Sequence, residues 1–440
     1  MSASDSIRQF VSWFRQAAPY IHAFRGRTFV IAFGGEIAGG DGAQALAHDC
    51  NLLAALGIRL VLVHGARPQI EAELRRNKLR AAYHRNLRVT DAAALECVKR
   101  ASGALRIEIE ALLSQGLANT PMAGAYMRVT GGNFITAKPL GVVEGVDYLY
   151  TGAVRKVIAE EIHADLDQQN VVLISPLGVS PTGEIFNLAM EEVAEAVAVA
   201  LRADKLIFLG ATGGILDRRG RLLHALTADE GETLLQKRRD LPEDIRRHLP
   251  CAVRACRAGV GRVHFVAQAD DGAMLLEMFT HEGVGTMVTR DALARLREAS
   301  IDDVAAIVGL IAPLEADGTL VRRGRELLEM EIGRFSVLEH DGVILGCAAL
   351  YPFSREKAAE LACLAVSPEY RRAGLGEQLL HYMEARAKRA GLRRLFVLTT
   401  RTAHWFIERG FAEAPVDVLP KEKRELYNWK RRSKVLGKAL

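Results

Sequence analysis

The sequence lacks a Cys-x-x-Cys pair, an unbroken apolar run long enough to cross a bilayer, an internal repeat and a low-complexity segment. Its six cysteines (Cys50, Cys97, Cys251, Cys256, Cys347 and Cys363) stand mostly in apolar contexts. That spacing argues against a metal site and for free thiols in a reduced, cytoplasmic compartment. The most apolar stretch, Val193 to Leu216, is broken by Glu195, Arg202, Asp204 and Lys205, so no membrane contact is expected. Met1 to Gln9 carries Asp5 and Arg8 with no apolar run behind it, which argues against a secretory signal.

What is present is the balance of a soluble globular protein, 49% apolar and 25% charged residues. A chain of 440 residues is too long for one ordinary core, and two or three domains are expected. The net charge of +5 is mild and uneven. Lys421 to Leu440 holds eight Lys or Arg against Glu422 and Glu425. Such a tail reads as a solvated face, as a site for an anionic small molecule, or as a nucleic-acid contact with Tyr427 and Trp429 stacking on bases.

Residues 1 to about 290 alternate between strand and helix patterns. Apolar strands are expected at Thr28 to Phe33, Arg59 to Val63, Asn170 to Ser175, Lys205 to Leu209 and Arg262 to Val266, with a helix from Gly42 to Leu56. Continuous apolar strands separated by helices imply a largely parallel sheet covered on both faces. An N-terminal helix, Ile7 to Phe24, puts Phe10, Phe14, Ala17 and Ala18 on one face. Arg290 to Ala299 reads as a charged helical connector, with residues 291–299 as the linker. Residues 300–440 then begin with antiparallel strands near Phe335 to Glu339, Val343 to Tyr351 and Glu360 to Val366, the start of a smaller α+β domain.

The chemistry concentrates in that second domain. An apolar strand from Glu360 to Val366 is followed by a Ser367-Pro368 turn and by Arg371-Arg-Ala-Gly374-Leu-Gly376. A helix starts at these glycines, with Leu375, Leu379, Met383 and Ala387 on one stripe. Glycines at 374 and 376 allow a ligand to approach the backbone. The N–H groups of the helix start, with Arg371, suit a pyrophosphate. A further strand, Leu395 to Thr400, follows. This order resembles the GNAT acetyltransferases, whose R/Q-x-x-G-x-G/A loop holds coenzyme A. The resemblance implies acetyl-CoA as co-substrate, lying against Cys363, Leu364, Val366, Arg371, Gly374 and Gly376.

Acetyl transfer to an amine asks for three things. A protonated amine must lose a proton before attack, the thioester oxygen needs a donor, and the departing sulfur benefits from an acid. Glu360 is the candidate base, the backbone around Cys363 and Leu364 the donor, and the Thr399 hydroxyl the acid. Arg322, Arg323 and Arg325, with Arg431 and Arg432, suit an acceptor bearing two carboxylates.

The chain as a whole is similar to the bacterial N-acetylglutamate synthases. The resemblance is carried by Phe14-Arg-Gln-Ala-Ala-Pro-Tyr-Ile21, Leu56-Gly-Ile-Arg-Leu-Val-Leu-Val-His-Gly65, Arg88-Val-Thr-Asp91, Arg322-Arg-Gly-Arg-Glu-Leu327, His404-Trp-Phe-Ile-Glu-Arg-Gly-Phe411 and Arg431-Arg-Ser-Lys-Val-Leu436. It implies L-glutamate as acceptor, held by Arg323 and Arg432, with Glu360 and Thr399 as base and acid. It further implies feedback inhibition by L-arginine, bound at Tyr20, Lys205, His264, Glu277 and Gly283. A homo-oligomer, a hexamer in this family, is expected.

Residues 1–290 are similar to the amino-acid kinase fold, an αβα sandwich. A bifunctional synthase and kinase is the rival reading. Phosphoryl transfer needs cations around the transferred group, and the kinase pattern is broken here. A lysine position is taken by Ala32, the glycine loop reads Gly65-Ala-Arg-Pro68, and Asn-x-Asn-Ala-Asp becomes Asn187-Leu-Ala-Met-Glu191. A second lysine has no counterpart around Leu249 to Val253. The expectation is a kinase-inactive, arginine-binding domain.

Overall fold

The computed structural model describes residues 3–39, 41–116, 118–280, 283–290, 295–340, 343–368, 374–429 and 431–440. The chain divides into two compact units, Met1–Ala292 and Leu293–Leu440.

The first unit opens with α1 (Ala3–Phe24). Its main sheet contains β1 (Thr28–Phe33), β2 (Arg59–His64), β3 (Val129–Thr130), β4 (Val171–Ile174), β5 (Lys205–Gly210), β6 (Ala225–Thr227), β7 (Arg262–Ala267) and β8 (Thr286–Thr289), in the order β6-β8-β7-β5-β1-β2-β4-β3. The pairings are parallel except β7 with β8. Alternation along β1 explains the two-sided burial. Phe29, Ile31 and Phe33 enter one core, and Val30 and Ala32 enter the other. Helices α2 (Asp41–Ala55), α4 (Ala92–Leu113) and α7 (Ala273–Phe279) fill the first core. Helices α5 (Met190–Ala200) and α6 (Glu243–Arg257) fill the second. The α3 helix (Arg67–Arg76) follows β2 directly. This is the expected αβα sandwich with a largely parallel sheet.

The motif Arg88-Val-Thr-Asp91 has a local cause. The Asp91 carboxylate accepts from the Ala94 N–H at 2.7 Å and caps α4. The apolar face expected along α1 is only partly used. Ala17 is buried and Tyr20, Ile21 and Phe24 pack on the core, but Phe10 is 62% and Phe14 55% exposed, the two rings lying 6.0 Å apart.

In the second unit β9 (Arg295–Glu298), β10 (Phe335–His340), β11 (Val343–Phe353), β12 (Ala358–Val366), β13 (Arg394–Thr399), β14 (Ala412–Ala414) and β15 (Lys434–Ala439) form one sheet in the order β9-β10-β11-β12-β13-β15-β14. Helix α8 (Val304–Ala316) packs on one face and α10 (Leu375–Arg389) on the other. The short helices are α9 (Arg325–Met330), α11 (Ala403–Ile407) and α12 (Lys421–Glu425). The helical connector is corrected. Residues 291–294 lie outside the described residues, and Arg295–Glu298 is a strand antiparallel to β10. Alternation is the reason: Leu296 turns to the core, while Arg297 binds Asp303 at 2.6 Å and Glu339 at 2.5 Å. The basic tail is likewise folded in. β15 is an interior strand with Val435 and Leu436 buried.

Candidate active site and effector cluster

Strands β12 and β13 run parallel and pair only from Ala358–Arg394 to Glu360–Phe396. Beyond that point both continue, β12 to Val366 and β13 to Thr399, without pairing. The two strands part, and a gap opens between them. A bulge sharpens the parting. On β11, Cys347 faces Ala365 and Ala349 faces Ala362, so Ala348 alone stands opposite Cys363 and Leu364. Cys363 takes φ +51°, the left-handed region that a non-glycine residue rarely enters. A bulge of this kind leaves the extra residue out of the ladder and re-aims its backbone groups. Cys363 and Leu364, named from sequence as backbone donors, sit on that bulge, and Val366 closes the strand.

Glu360 stands at the branch point, 7% exposed, with Oε2 2.6 Å from Lys423 Nζ. Thr399 stands at the end of β13, 8% exposed. Its Oγ1 accepts from the backbone N–H of Thr402 at 3.0 Å and of Arg401 at 3.3 Å, and lies 2.8 Å from Thr402 Oγ1. Two backbone donors thus occupy its lone pairs, and its own hydrogen is directed to Thr402 Oγ1.

The glycine loop is partly visible. Arg371 lies outside the described residues. Gly374 caps α10 at φ +72°, so a left-handed residue starts the helix. Gly376 has a packing reason as well: a Cβ there would stand 3.2 Å from the Trp405 ring. The N-terminal end of α10 therefore points out of a glycine turn, the arrangement that suits a pyrophosphate. These residues fit coenzyme A.

Arg323 is half-buried, with its guanidinium 5.8 Å from the Tyr351 ring centroid. Burial alone would lower its pKa, but Cys363, Tyr351 and Glu360 raise it overall. The structure therefore groups Arg323 with Glu360 and the bulge. Burial pushes the Cys363 thiol up to about 11 despite Arg323 beside it, so it stays protonated. Tyr351 gives its hydroxyl to Glu331 at 2.8 Å, and burial pushes it up to about 12. Arg432 is exposed at φ +50°, two residues before Lys434, which pairs with Thr399. Register therefore puts it near the Thr399 end of β13. Its neighbour Arg431 is used structurally, giving Nη2 to the carbonyls of Gly318 and Thr319. Sequence reading missed Lys423, Tyr351 and Glu331. Lys423 was visible only as one charge in a basic run, and only the folded sheet places it at Glu360.

In the first unit the residues expected to bind arginine come together. Lys205 Nζ lies 3.1 Å from His264 Nε2, His264 Nδ1 2.7 Å from Glu277 Oε1, and Glu277 Oε2 accepts from the N–H groups of Val284 and Gly285 at 2.8 Å each. Gly283 has φ +62°, and a Cβ there would stand 2.5 Å from Glu277 Oε2, so only glycine fits. The Tyr20 ring lies 6.0 Å from that of Phe24 and tilted by 43° to it, and Lys205 Nζ sits 4.9 Å from the Phe24 ring centroid. Burial, then Lys205, pushes the His264 imidazole down to about 4. Burial pushes Lys205 down to about 7. Glu277 is raised by burial and lowered more by His264 and the two backbone donors.

At the opposite, carboxyl ends of the same strands lies a cavity of about 420 Å³, lined among others by Gly34, Gly65, Arg88, Asn187, Gly210 and Arg247. Ala32, where the kinase pattern has a lysine, is fully buried in the core. Among the described residues no group of three or more His, Cys, Asp or Glu could hold a metal, and no helix is long and apolar enough to cross a membrane.

A kinase-fold unit followed by a splayed acetyltransferase sheet defines a two-part acetyltransferase that uses acetyl-CoA. Residues 27–267 match the Amino acid kinase family and residues 313–411 the Acetyltransferase (GNAT) family. The amino-acid acetyltransferase of Ralstonia nicotianae is 55% identical over 98% of this chain and 96% of its own. N-acetylglutamate synthase from Neisseria gonorrhoeae, complexed with coenzyme A and L-arginine, is 40% identical over 98% of this chain and 99% of its own, with a TM-score of 0.90. The same protein complexed with coenzyme A and N-acetyl-glutamate gives 0.63 at the same identity and coverage. The chain belongs to the amino-acid acetyltransferases of the N-acetylglutamate synthase family.

Proposed function

We propose that this enzyme transfers the acetyl group of acetyl-CoA to the α-amine of L-glutamate, and that L-arginine inhibits it through the Lys205–His264–Glu277 cluster. The observation that carries the reading is the parting of β12 and β13 between Glu360 and Thr399. Acetyl-CoA supplies the acyl thioester, with its pyrophosphate at Gly374 and Gly376. Glu360 takes the proton of the α-ammonium group, directly or through water. Backbone N–H groups of the Cys363–Leu364 bulge face the charge that develops on the carbonyl oxygen. Thr399 gives its proton to the departing sulfur. Arg323 and Arg432 hold the two carboxylates of glutamate and so select it.

On this reading residues 300–440 catalyse, and residues 1–290 form a kinase-inactive arginine sensor. Glu277 and the Lys205–His264 pair supply an acceptor and a polar wall for a cationic amino acid. The exposed Phe10–Phe14 face of α1 supports an oligomer contact, in keeping with a hexamer. Six free, buried cysteines support a reducing, cytoplasmic setting. A bifunctional synthase and kinase has no such support, since Ala32 replaces a cation by an apolar core residue.

The test is CoA release with glutamate, glutamine, aspartate and lysine as acceptors. Glutamate should be preferred by at least tenfold. Equal rates for all four, or none with glutamate, would refute the acceptor assignment. Tyr20→Cys should relieve arginine inhibition while leaving the arginine-free rate intact.

A further inference from the structure

The two arginines expected to hold glutamate lie on segments that meet at one turn of the second unit. Helix α8 ends at its C-cap Asp317, and the chain turns through Gly318, φ +77°, to Thr319 before it reaches Arg323. Within this turn the Thr319 N–H gives to Asp317 Oδ1 at 2.8 Å and the Leu320 N–H to the Leu314 carbonyl at 2.8 Å. The Arg323 N–H gives to Glu315 Oε1 at 2.8 Å. The backbone of Arg323 is therefore anchored to the last turn of α8, and whatever holds that turn holds Arg323.

Two further arginines grip the turn. Thr399 stands opposite Lys434 in the β13–β15 pair, so the residues just after Thr399 and just before Lys434 leave the sheet at the same end. Arg401 gives Nη2 to the Asp317 carbonyl at 3.0 Å and Nη1 to its carboxylate at 3.2 Å. Arg431 gives Nη2 to the carbonyls of Gly318 at 3.0 Å and Thr319 at 2.7 Å. Carbonyls at the C-terminal end of a helix carry the negative end of its dipole and suit cations. The Arg401–Asp317 pair is 60% and 45% exposed, so water and salt weaken it. Arg431 is half-buried, and its two acceptors belong to the backbone itself. It is the firmer of the two grips.

Arg432 follows Arg431 directly and has φ +50°. A non-glycine residue persists in that left-handed region only where its surroundings over-determine it. Arg432 is held on both sides. Arg431 is fixed to the Gly318–Thr319 turn, and the Ser433 carbonyl accepts from the Tyr427 hydroxyl at 2.6 Å. The Arg431 N–H closes the loop on the Asn428 carbonyl at 3.1 Å.

We propose that Arg431 is a positioning residue that sets the separation of Arg323 and Arg432, and with it the length of the acceptor amino acid. The proposal rests on the assignment of the two glutamate carboxylates to those arginines. Two guanidinium forks held at a fixed separation match carboxylates at one spacing. L-Aspartate is one methylene shorter than L-glutamate and L-2-aminoadipate one methylene longer, so each leaves one fork poorly met. Without the Arg431 grip, Arg432 relaxes to an ordinary backbone conformation and the spacing is no longer defined.

The test is steady-state kinetics on the full chain with L-glutamate, L-aspartate and L-2-aminoadipate. Arg431→Met should raise KM for glutamate about tenfold, with a smaller change in kcat and none in KM for acetyl-CoA. Its preference for glutamate over the other two acceptors should fall about fivefold or more. Arg431→Lys, which keeps a cation for the carbonyls, should recover part of both losses. Tyr427→Phe, which frees the other side of Arg432, should move the same quantities in the same direction, and it decides the matter if Arg431→Met does not fold. Wild-type KM and preference in Arg431→Met would overturn the proposal. A rise in KM for all three acceptors with their ratios unchanged, or an equal rise in KM for acetyl-CoA, would overturn it as well. Failure of the acceptor assignment looks different: the wild type then shows no preference for glutamate, or Arg432→Met leaves its KM for glutamate unchanged.

Discussion

Lys423 Nζ lies 2.6 Å from Glu360 Oε2, joining the C-terminal segment to the point where β12 and β13 part. The Glu360 side chain is 9% exposed and that of Lys423 25%. Removing one partner of such a pair leaves the other charge poorly compensated. On the proposed mechanism Lys423 holds one carboxylate oxygen and the second serves the acceptor amine. Lys423→Met should lower kcat at least tenfold with little change in coenzyme A affinity, and Lys423→Arg should restore part of it. A small primary ammonium ion added to Lys423→Met should raise kcat. Glu360→Gln should lower kcat/KM by about 10²- to 10⁴-fold, the usual worth of a positioned base, and added amine should not rescue it.

The two arginines predict a different signature. Arg323 is half-buried beside Tyr351 and Cys363, and Arg432 is exposed at the end of β15 nearest Thr399. A hydrogen bond to a charged group contributes about 1.5–3 kcal/mol. Arg323→Met and Arg432→Met should each raise KM for glutamate about tenfold to a hundredfold on that scale. KM for acetyl-CoA should hold. The loss should be larger for Arg323, because it is shielded from water and salt. Steady-state kinetics with each substrate varied in turn will decide.

The contrast between these residues shows what the sequence carried. The strands of the first unit were legible because they are continuous apolar runs, as Phe29 to Phe33 illustrates. The glycine turn was legible because Gly374 and Gly376 are local requirements. Lys423 was not, because its partner is 63 positions away and only the order β12-β13-β15-β14 brings the tail back. The strand Arg295–Glu298 was read as helix since four residues of high charge carry a weak pattern. Its alternation means something only once β10 lies beside it.

The buried cluster in the first unit sets a pH dependence of stability. His264 titrates near 6.5 when free and is pushed down to about 4, by burial first and Lys205 second. Between those values the unfolded chain holds more protons than the folded one. Stability therefore rises with pH across this window and is lost as pH falls through it. Lys205 is pushed by burial from 10.5 down to about 7, so it adds a second rise between about 7 and 10.5. Denaturant titrations should show both limbs in the transition of the first unit. His264→Gln should flatten the acid limb and Lys205→Met the alkaline one. An unchanged acid limb in His264→Gln would assign it to other groups.

Gly374 and Gly376 stand two positions apart and should fail for different reasons. Gly374 has φ +72° with open space where a Cβ would go, so Gly374→Ala costs backbone strain of about 1–2 kcal/mol and little else. That strain falls on the first turn of α10, where the pyrophosphate is expected. Gly374→Ala should therefore weaken coenzyme A binding several-fold with a small shift in Tm. Gly376 lies within ordinary helix geometry, but its Cβ would stand 3.2 Å from Trp405 Cζ2 and 3.8 Å from Val366 Cγ2. Gly376→Ala makes the indole give by a few tenths of an ångström, whereas Gly376→Val pushes branched carbons into it and overpacks the contact by roughly 1–3 kcal/mol. Trp405 is the probe: its fluorescence should change in Gly376→Val and stay near the wild type in Gly374→Ala. Measured together, coenzyme A affinity and tryptophan emission separate a loop that binds the ligand from a glycine that makes room for α11.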